Sequence, residues 1–173
     1  ANPDLDEMAD ITSFLDQLVK KVKAPFMIDS TDAAVMEAAL RKTPGKCVLN
    51  SINLEDGEER FEKVAPMAHR YGAAVVVGTI DEDRAQGMAV TADRKLSIAQ
   101  RSFQLLTQKY GISPEDIIFD PLVFPCARGD KNYFGAASET IEGVRLIKEA
   151  LPRCKTILGI SNVSFGLPAA GRE

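Results

Sequence analysis

Histidine is almost missing from this chain, cysteine is sparse and basic residues form no block. Each shortage removes a class of chemistry. His69 is the one histidine among 173 residues, which leaves little material for a histidine-built metal site or a triad drawing on several histidines. The cysteines, Cys47, Cys126 and Cys154, are odd in number and share no metal-ligand spacing. They are expected as buried, reduced thiols in a cytoplasmic protein, and no metal site is expected. With 21 basic against 25 acidic side chains the formal charge is −4, and no basic stripe offers a nucleic-acid footprint. The longest apolar run is far too short to span a bilayer and no signal-peptide pattern opens the chain, so no membrane partner is expected.

What the chain does contain is one design, repeated. Ile117-Ile118-Phe119 ends at Asp120, and Pro121 then forbids the strand to continue. Phe26-Met27-Ile28 ends at Asp29, Cys47-Val48-Leu49 at Asn50, Ala73–Ile80 at Asp81, and Ile157–Ile160 at Ser161-Asn162. Amphipathic stretches alternate with these runs. One carries Leu5, Met8, Ile11, Leu15, Leu18 and Val22; the next follows the Ser30-Thr31-Asp32 cap and extends to about Leu40. Phe61, Val64, Ala68 and Tyr71 mark a third, in which Pro66 predicts a kink or a shortened first half. Leu96, Ala99, Phe103, Leu106 and Tyr110 mark a fourth, closed by Gly111, and Ile141, Val144, Ile147 and Leu151 a fifth. The charged stretch Asp81–Val90 reads as loop, as does Pro121 to about Ala136.

Strands too apolar to alternate, separated by helices, predict a parallel sheet covered by helices. Two architectures fit. A doubly wound sheet would be complete at this length but places its ligand at one switch point. A TIM barrel carries functional residues at the ends of several strands, as the polar strand ends here suggest, yet it takes ~250 residues. The expectation is therefore an incomplete TIM (β/α)8 barrel: residues 1–173 as one partial domain with about five parallel strands.

Two carboxylates and two carboxamides at one mouth form a neutral-to-acidic cup of directional acceptors and donors. Such a cup suits a flat heterocycle with several N–H groups, and not a phosphate, which wants a glycine-rich backbone or central cations. At any single position the plain alternative is that Asp or Asn stops a strand and caps the next helix. For Asp81 capping or loop ordering is the favoured reading.

Across essentially its whole length the sequence resembles the pterin-binding (folate-binding) domain of cobalamin-dependent methionine synthase. The residues that carry the resemblance are Ile28-Asp29-Ser30, Leu49-Asn50-Ser51-Ile52-Asn53-Leu54-Glu55-Asp56-Gly57, Tyr71–Val76, Ile118–Leu122, Gly129–Tyr133 and Gly159–Pro168. The wider family takes in methyltetrahydrofolate:corrinoid methyltransferases and dihydropteroate synthase, all TIM barrels. The resemblance implies that Asp29, Asn50 and Asp120 hydrogen-bond the pterin and that Asn162 sits beside the methyl-bearing N5. It puts Arg172 at a position where the family has an arginine. Arg128, Lys131 and Arg172 are candidates for the anionic glutamate tail, against an ordinary solvated role. It also implies that these are family strands three to seven, with the first two and the eighth absent.

The implied activity is a methyltransferase that positions the N5-methyl of methyltetrahydrofolate for cob(I)alamin in methionine biosynthesis. The cobalamin would be bound by a separate domain docking on the barrel top, and the isolated segment is expected to be inactive. Asn162 suits the task, because a carboxamide can donate or accept as N5 changes protonation. Two alternatives stand beside this reading: a dihydropteroate synthase-like condensing enzyme, and a folate-binding fragment without activity of its own.

Overall fold

A computed structural model describes residues 6–126, 129 and 133–172. Helix α1 (Glu7–Leu18) starts at Asp6, whose carboxylate accepts from the Ala9 N–H, and it stops before the lysines at 20, 21 and 23. Strand β1 (Met27–Asp29) follows. Helix α2 (Ala33–Lys42) is capped by Asp32, which accepts from the Ala34 N–H at 2.7 Å. Strand β2 (Val48–Leu54) runs past Asn50, where it was expected to end; the Asn50–Ser51 peptide is cis. Helix α3 (Glu59–Tyr71) continues through Pro66 and closes on Gly72 at φ 65°. Pro66 is exposed, so water can take the carbonyl that its missing N–H would have served.

Strand β3 (Ala74–Asp81) is the most enclosed of the strands. The stretch after it is better ordered than a plain loop. It doubles back so that the Asp81 N–H donates to the Gly87 carbonyl and the Ala89 N–H to that of Thr79. Helix α4 (Ala92–Gln104) ends in a π-helical turn over Leu105–Lys109. A 3-10 turn at Pro114–Asp116 leads into strand β4 (Ile117–Asp120). Helix α5 (Ala136–Ala150) then returns to strand β5, which is only Lys155–Thr156. The last strand was expected over Ile157–Ile160; pairing ends with the Ile157 N–H on the Phe119 carbonyl, and Ile160–Ser164 is a 3-10 turn instead.

All neighbouring strands are parallel and the order is β1-β2-β3-β4-β5. A doubly wound sheet must reverse its order and carry helices on both faces. Here a single apolar core joins one face of the strands (Ile28, Leu49, Ile52, Val75, Val77, Ile117 and Phe119) to residues of all five helices, such as Leu15, Met36, Val64, Ile98 and Ile147. The sheet is therefore wound in one direction, as a barrel wall is. Its opposite face carries Met27, Asp29, Val48, Asn50, Ala74, Val76, Gly78, Ile118 and Asp120 by the alternation of strand side chains, which β2 keeps only as far as Asn50, before its register shifts bring Ile52 back to the core.

Cys47 and Cys154 are buried, as expected, but Cys126 is exposed because it lies on the loop after β4. No helix among the described residues is long and apolar enough to cross a membrane.

Candidate functional site

Asp29 and Asn50 are brought side by side, as register partners of the parallel β1–β2 pair. Their chain neighbours Ile28 and Leu49 fill the helix-side core, which turns both polar side chains to the open face. The Ser30 N–H donates to the Asn50 carbonyl at 3.3 Å and extends the pairing by one residue. Asp120 ends β4 and is registered with Gly78 of β3. On the far side of Gly78 lies Asn53, whose Cβ would stand 3.8 Å from a methyl group placed at Gly78. Ile80 stands closer still, with its Cδ1 3.7 Å from that position, so the space beside Gly78 is bounded by Ile80 as well as by Asn53. Asn53 shapes its own loop by accepting from the Glu55 N–H at 3.0 Å.

Asn162 is not part of this row. It lies on the exposed 3-10 turn after β5, and the Cys126 N–H to Val163 carbonyl bond, 3.0 Å, ties that turn to the loop following Asp120. Arg172 is exposed and its Nε donates to the Leu167 carbonyl at 3.1 Å, a bond that orders the C-terminal turn. Arg128 and Lys131 lie outside the described residues. Asp81 accepts from both the Asp83 N–H and, through both carboxylate oxygens, the Arg94 guanidinium at 2.7 Å. That geometry orders a loop, and the Asp81–Arg94 pair lines a cavity of about 710 Å³ with Glu55, Gln86 and Tyr133. Among the described residues, no group of three or more His, Cys, Asp and Glu side chains is placed to hold a metal ion.

Two cations clamp the rim from the helix side. Arg60, on the first turn of α3, donates to the carbonyls of Ser30, Thr31 and Ser51, and so ties the ends of β1 and the middle of β2 together beside Asp29 and Asn50. Lys95, on α4, is fully buried. Its ammonium donates to the Ala89 carbonyl at 2.7 Å and to that of Pro121, and it lies 5.0 Å from the centre of the Phe124 ring. Burial pushes its pKa down to about 8, against the attraction of Asp120 and Glu139. Asp120 moves the other way. Burial raises its carboxyl above the usual range, and this outweighs the Leu122 N–H bond of 2.9 Å and the attraction of Lys95.

Neither cation stands out in the sequence as a site residue. Arg60 follows the acidic run Glu55–Glu59 and reads as a solvated helix start. Lys95 did leave a signal: it falls three residues before Ile98 and four before Ala99, on the buried stripe of α4.

The five parallel strands and their helices define an α/β barrel-wall module, with Asp29 and Asp120 at the carboxyl ends of β1 and β4. The sequence profile of the family described as "Pterin binding enzyme" matches residues 3–172, and the chain belongs to that family. It is 40% identical over 171 residues to the methionine synthase of Mycobacterium tuberculosis (strain ATCC 25618 / H37Rv), and 38% over 169 residues to that of Mycobacterium leprae (strain TN). The two alignments cover 97% and 96% of this chain, which spans only 14% of the length of either relative. A solved structure of Yersinia pestis DHPS with a pterine-sulfa conjugate superposes with a TM-score of 0.55 at 14% identity. That match covers 89% of this chain and 54% of the DHPS chain. DHPS is a TIM barrel, and the sheet described here is an incomplete segment of that fold.

The raised carboxyl of Asp120 fixes the sign of one stability effect. A carboxylate whose folded pKa lies above its unfolded value favours the fold when protonated, and that contribution is lost as pH rises through the folded pKa. Asp120→Asn, which can still accept from Leu122, should therefore raise the melting temperature at neutral pH. The gain should shrink as pH falls through the raised pKa of Asp120. Thermal melts of both proteins across that acidic range check it; a gain equally large in acid would assign the effect to something other than ionisation.

Proposed function

We propose that this chain forms the folate-holding wall of a methyltransferase of the methionine synthase kind. Asp29, Asn50 and Asp120 hydrogen-bond the pterin ring, and Asn162 sits near N5 of methyltetrahydrofolate. The observation that carries the reading is the registered pair Asp29–Asn50, on the same open face as Asp120. Ionised carboxylates accept only, so they pair with the N–H groups on one edge of a pterin, while a carboxamide both donates and accepts. Gly78, registered with Asp120, adds no side chain of its own to that face.

Asn162, on an exposed turn tethered to the loop after Asp120, suits a group that must serve a reacting atom open to a second domain. Its amide can accept from a protonated N5 or donate to a neutral one, without burying another charge. The neighbouring Ile160 and Phe165 are largely exposed, which leaves this rim open to a cobalamin-bearing domain. A corrinoid held there would supply the cobalt nucleophile; this chain's part is to bind and orient the folate. Arg172 supports the terminal turn in this reading. A tail contact for Arg128 or Lys131 belongs to the same proposal.

A condensing enzyme of the dihydropteroate synthase kind needs a lysine presented to the pterin. Among the described residues the buried lysine of this rim, Lys95, does not fill that role, because its ammonium is spent on two backbone carbonyls.

Titration with methyltetrahydrofolate and single-turnover transfer to free cob(I)alamin test the reading together. Asp120→Ala removes a half-buried acceptor and should weaken binding by ~1–3 kcal/mol; unchanged affinity would overturn the pterin assignment. Asn162→Ala should slow transfer more than it weakens binding, and equal losses would reduce Asn162 to uniform binding.

The domain is proposed to be complete only with further strands, family strands one, two and eight, beside β1 and β5. In support, Met27 on β1 is 47% exposed, and Phe134 and Ile141 on the α5 side are 94% and 73% exposed. Unpaired parallel edges also invite association with other chains. Residues 1–173 alone should therefore elute as aggregates or melt broadly, and a polypeptide extended at both ends should elute as a monomer and melt sharply. A short chain that is monomeric and melts cooperatively would sink this proposal.

A further inference from the structure

The least explained group in the fold is the buried ammonium of Lys95. Its side chain has no measurable exposure, yet no carboxylate among the described residues forms an ion pair with it. A cation buried on neutral acceptors is costly, and an apolar side chain of similar volume would generally pack there at lower cost. The surroundings nevertheless accommodate it. Gly143 of α5 makes room, because a Cβ there would lie 2.6 Å from Lys95 Cδ. The Phe124 ring covers the ammonium.

The two carbonyls that Lys95 holds belong to two different rim loops: Ala89, at the return after β3, and Pro121, the first residue after Asp120. Between Lys95 and the site lies a strained turn. Leu122 stands at φ 62°, a left-handed conformation that strains a residue with a Cβ. Its N–H donates to Asp120 Oδ1 and its carbonyl accepts from Thr140 Oγ1 at 2.9 Å. Lys95 therefore fixes the peptide on one side of Leu122 and Thr140 that on the other, and the turn aims the Asp120 carboxylate.

We propose that Lys95 is a positioning residue for pterin recognition, pinning the Ala89 and Pro121 carbonyls and setting a positive charge behind Asp120. The inference rests on the folate reading given above and assigns to the helix side of the site a task that the open face cannot perform. The charged groups acting on Lys95 are Asp120 from β4 and Glu139 from α5. Glu139 is itself held by the Ala92 N–H at the start of α4, at 2.7 Å. Lys95 is the only charged side chain acting on Asp120 among the described residues. An opposite charge keeps a carboxylate ionised to lower pH, so removing it should shorten the range over which Asp120 can accept from a pterin.

Lys95→Met, Lys95→Gln and Lys95→Arg in the full-length protein test this, with tetrahydrofolate titrated from acidic to neutral pH. Lys95→Met should bind roughly tenfold more weakly near neutrality and lose affinity at a higher pH than wild type on the acid side. Lys95→Arg, which keeps the charge, should restore the wild-type acid limb. Lys95→Gln keeps a donor but not the charge, and carries the comparison should the methionine variant fail to fold. A carboxyl NMR titration of Asp120 without ligand separates this inference from the folate reading, because the Asp120 pKa should rise in both uncharged variants. An unmoved Asp120 titration, or an acid limb coincident with wild type in a folded variant, overturns the role of Lys95. Absence of folate binding by wild type overturns the folate reading itself, and with it the part in pterin recognition.

Discussion

The sequential parallel pairing of β1 through β5 is the constraint on which everything else rests. A strand that pairs in parallel with its predecessor must be reached by a crossover, and here each crossover is a helix. Because the order never reverses, the helices share one face of the sheet and one core. Two consequences follow without further design. All carboxyl ends lie at one rim, and outside the register shifts of β2 alternate side chains point to the face without helices. Asp29 and Asn50 become neighbours, and Asp120 comes to lie opposite Gly78, through pairing alone.

The two carboxylates of the row sit in different surroundings. Asp29 is exposed at the edge strand, where water solvates its charge. Asp120 is half-buried, and desolvation raises its pKa. A half-desolvated acceptor forms stronger hydrogen bonds once a donor arrives, because the competing water has already been removed. The same desolvation makes Asp120 dependent on what stands behind it.

Arg60 and Lys95 answer a common problem of barrel rims: the carbonyls of loops leaving parallel strands have no ladder partner. Arg60 collects two of them after β1, together with the Ser51 carbonyl inside β2, with one planar guanidinium whose forked donors suit several acceptors at once. Lys95 collects two around β3 and β4. Both work from the helix side of the sheet.

Much of this fold is legible in local chemistry. The apolar runs at Ile117–Phe119 and Ala74–Val77, the Asp32 cap and the Gly72 stop depend on near neighbours, and the elements form where those signals place them. Asp120 is legible too, because Pro121 ends its strand in sequence. Position in the last strand is not. Ile157–Ile160 has the composition of a strand, but β5 pairs only at Lys155–Thr156, since pairing depends on where β4 offers free backbone groups rather than on hydrophobicity. That shift carries Asn162 from a strand end to an exposed turn. The sequence by itself determined the alternation of helices and strands, and that β1, β3 and β4 finish in carboxylates. Tertiary structure alone decided register, the single winding direction, and the burial of Lys95 against Gly143. Those depend on contacts between residues far apart in the chain, and no local pattern encodes such contacts.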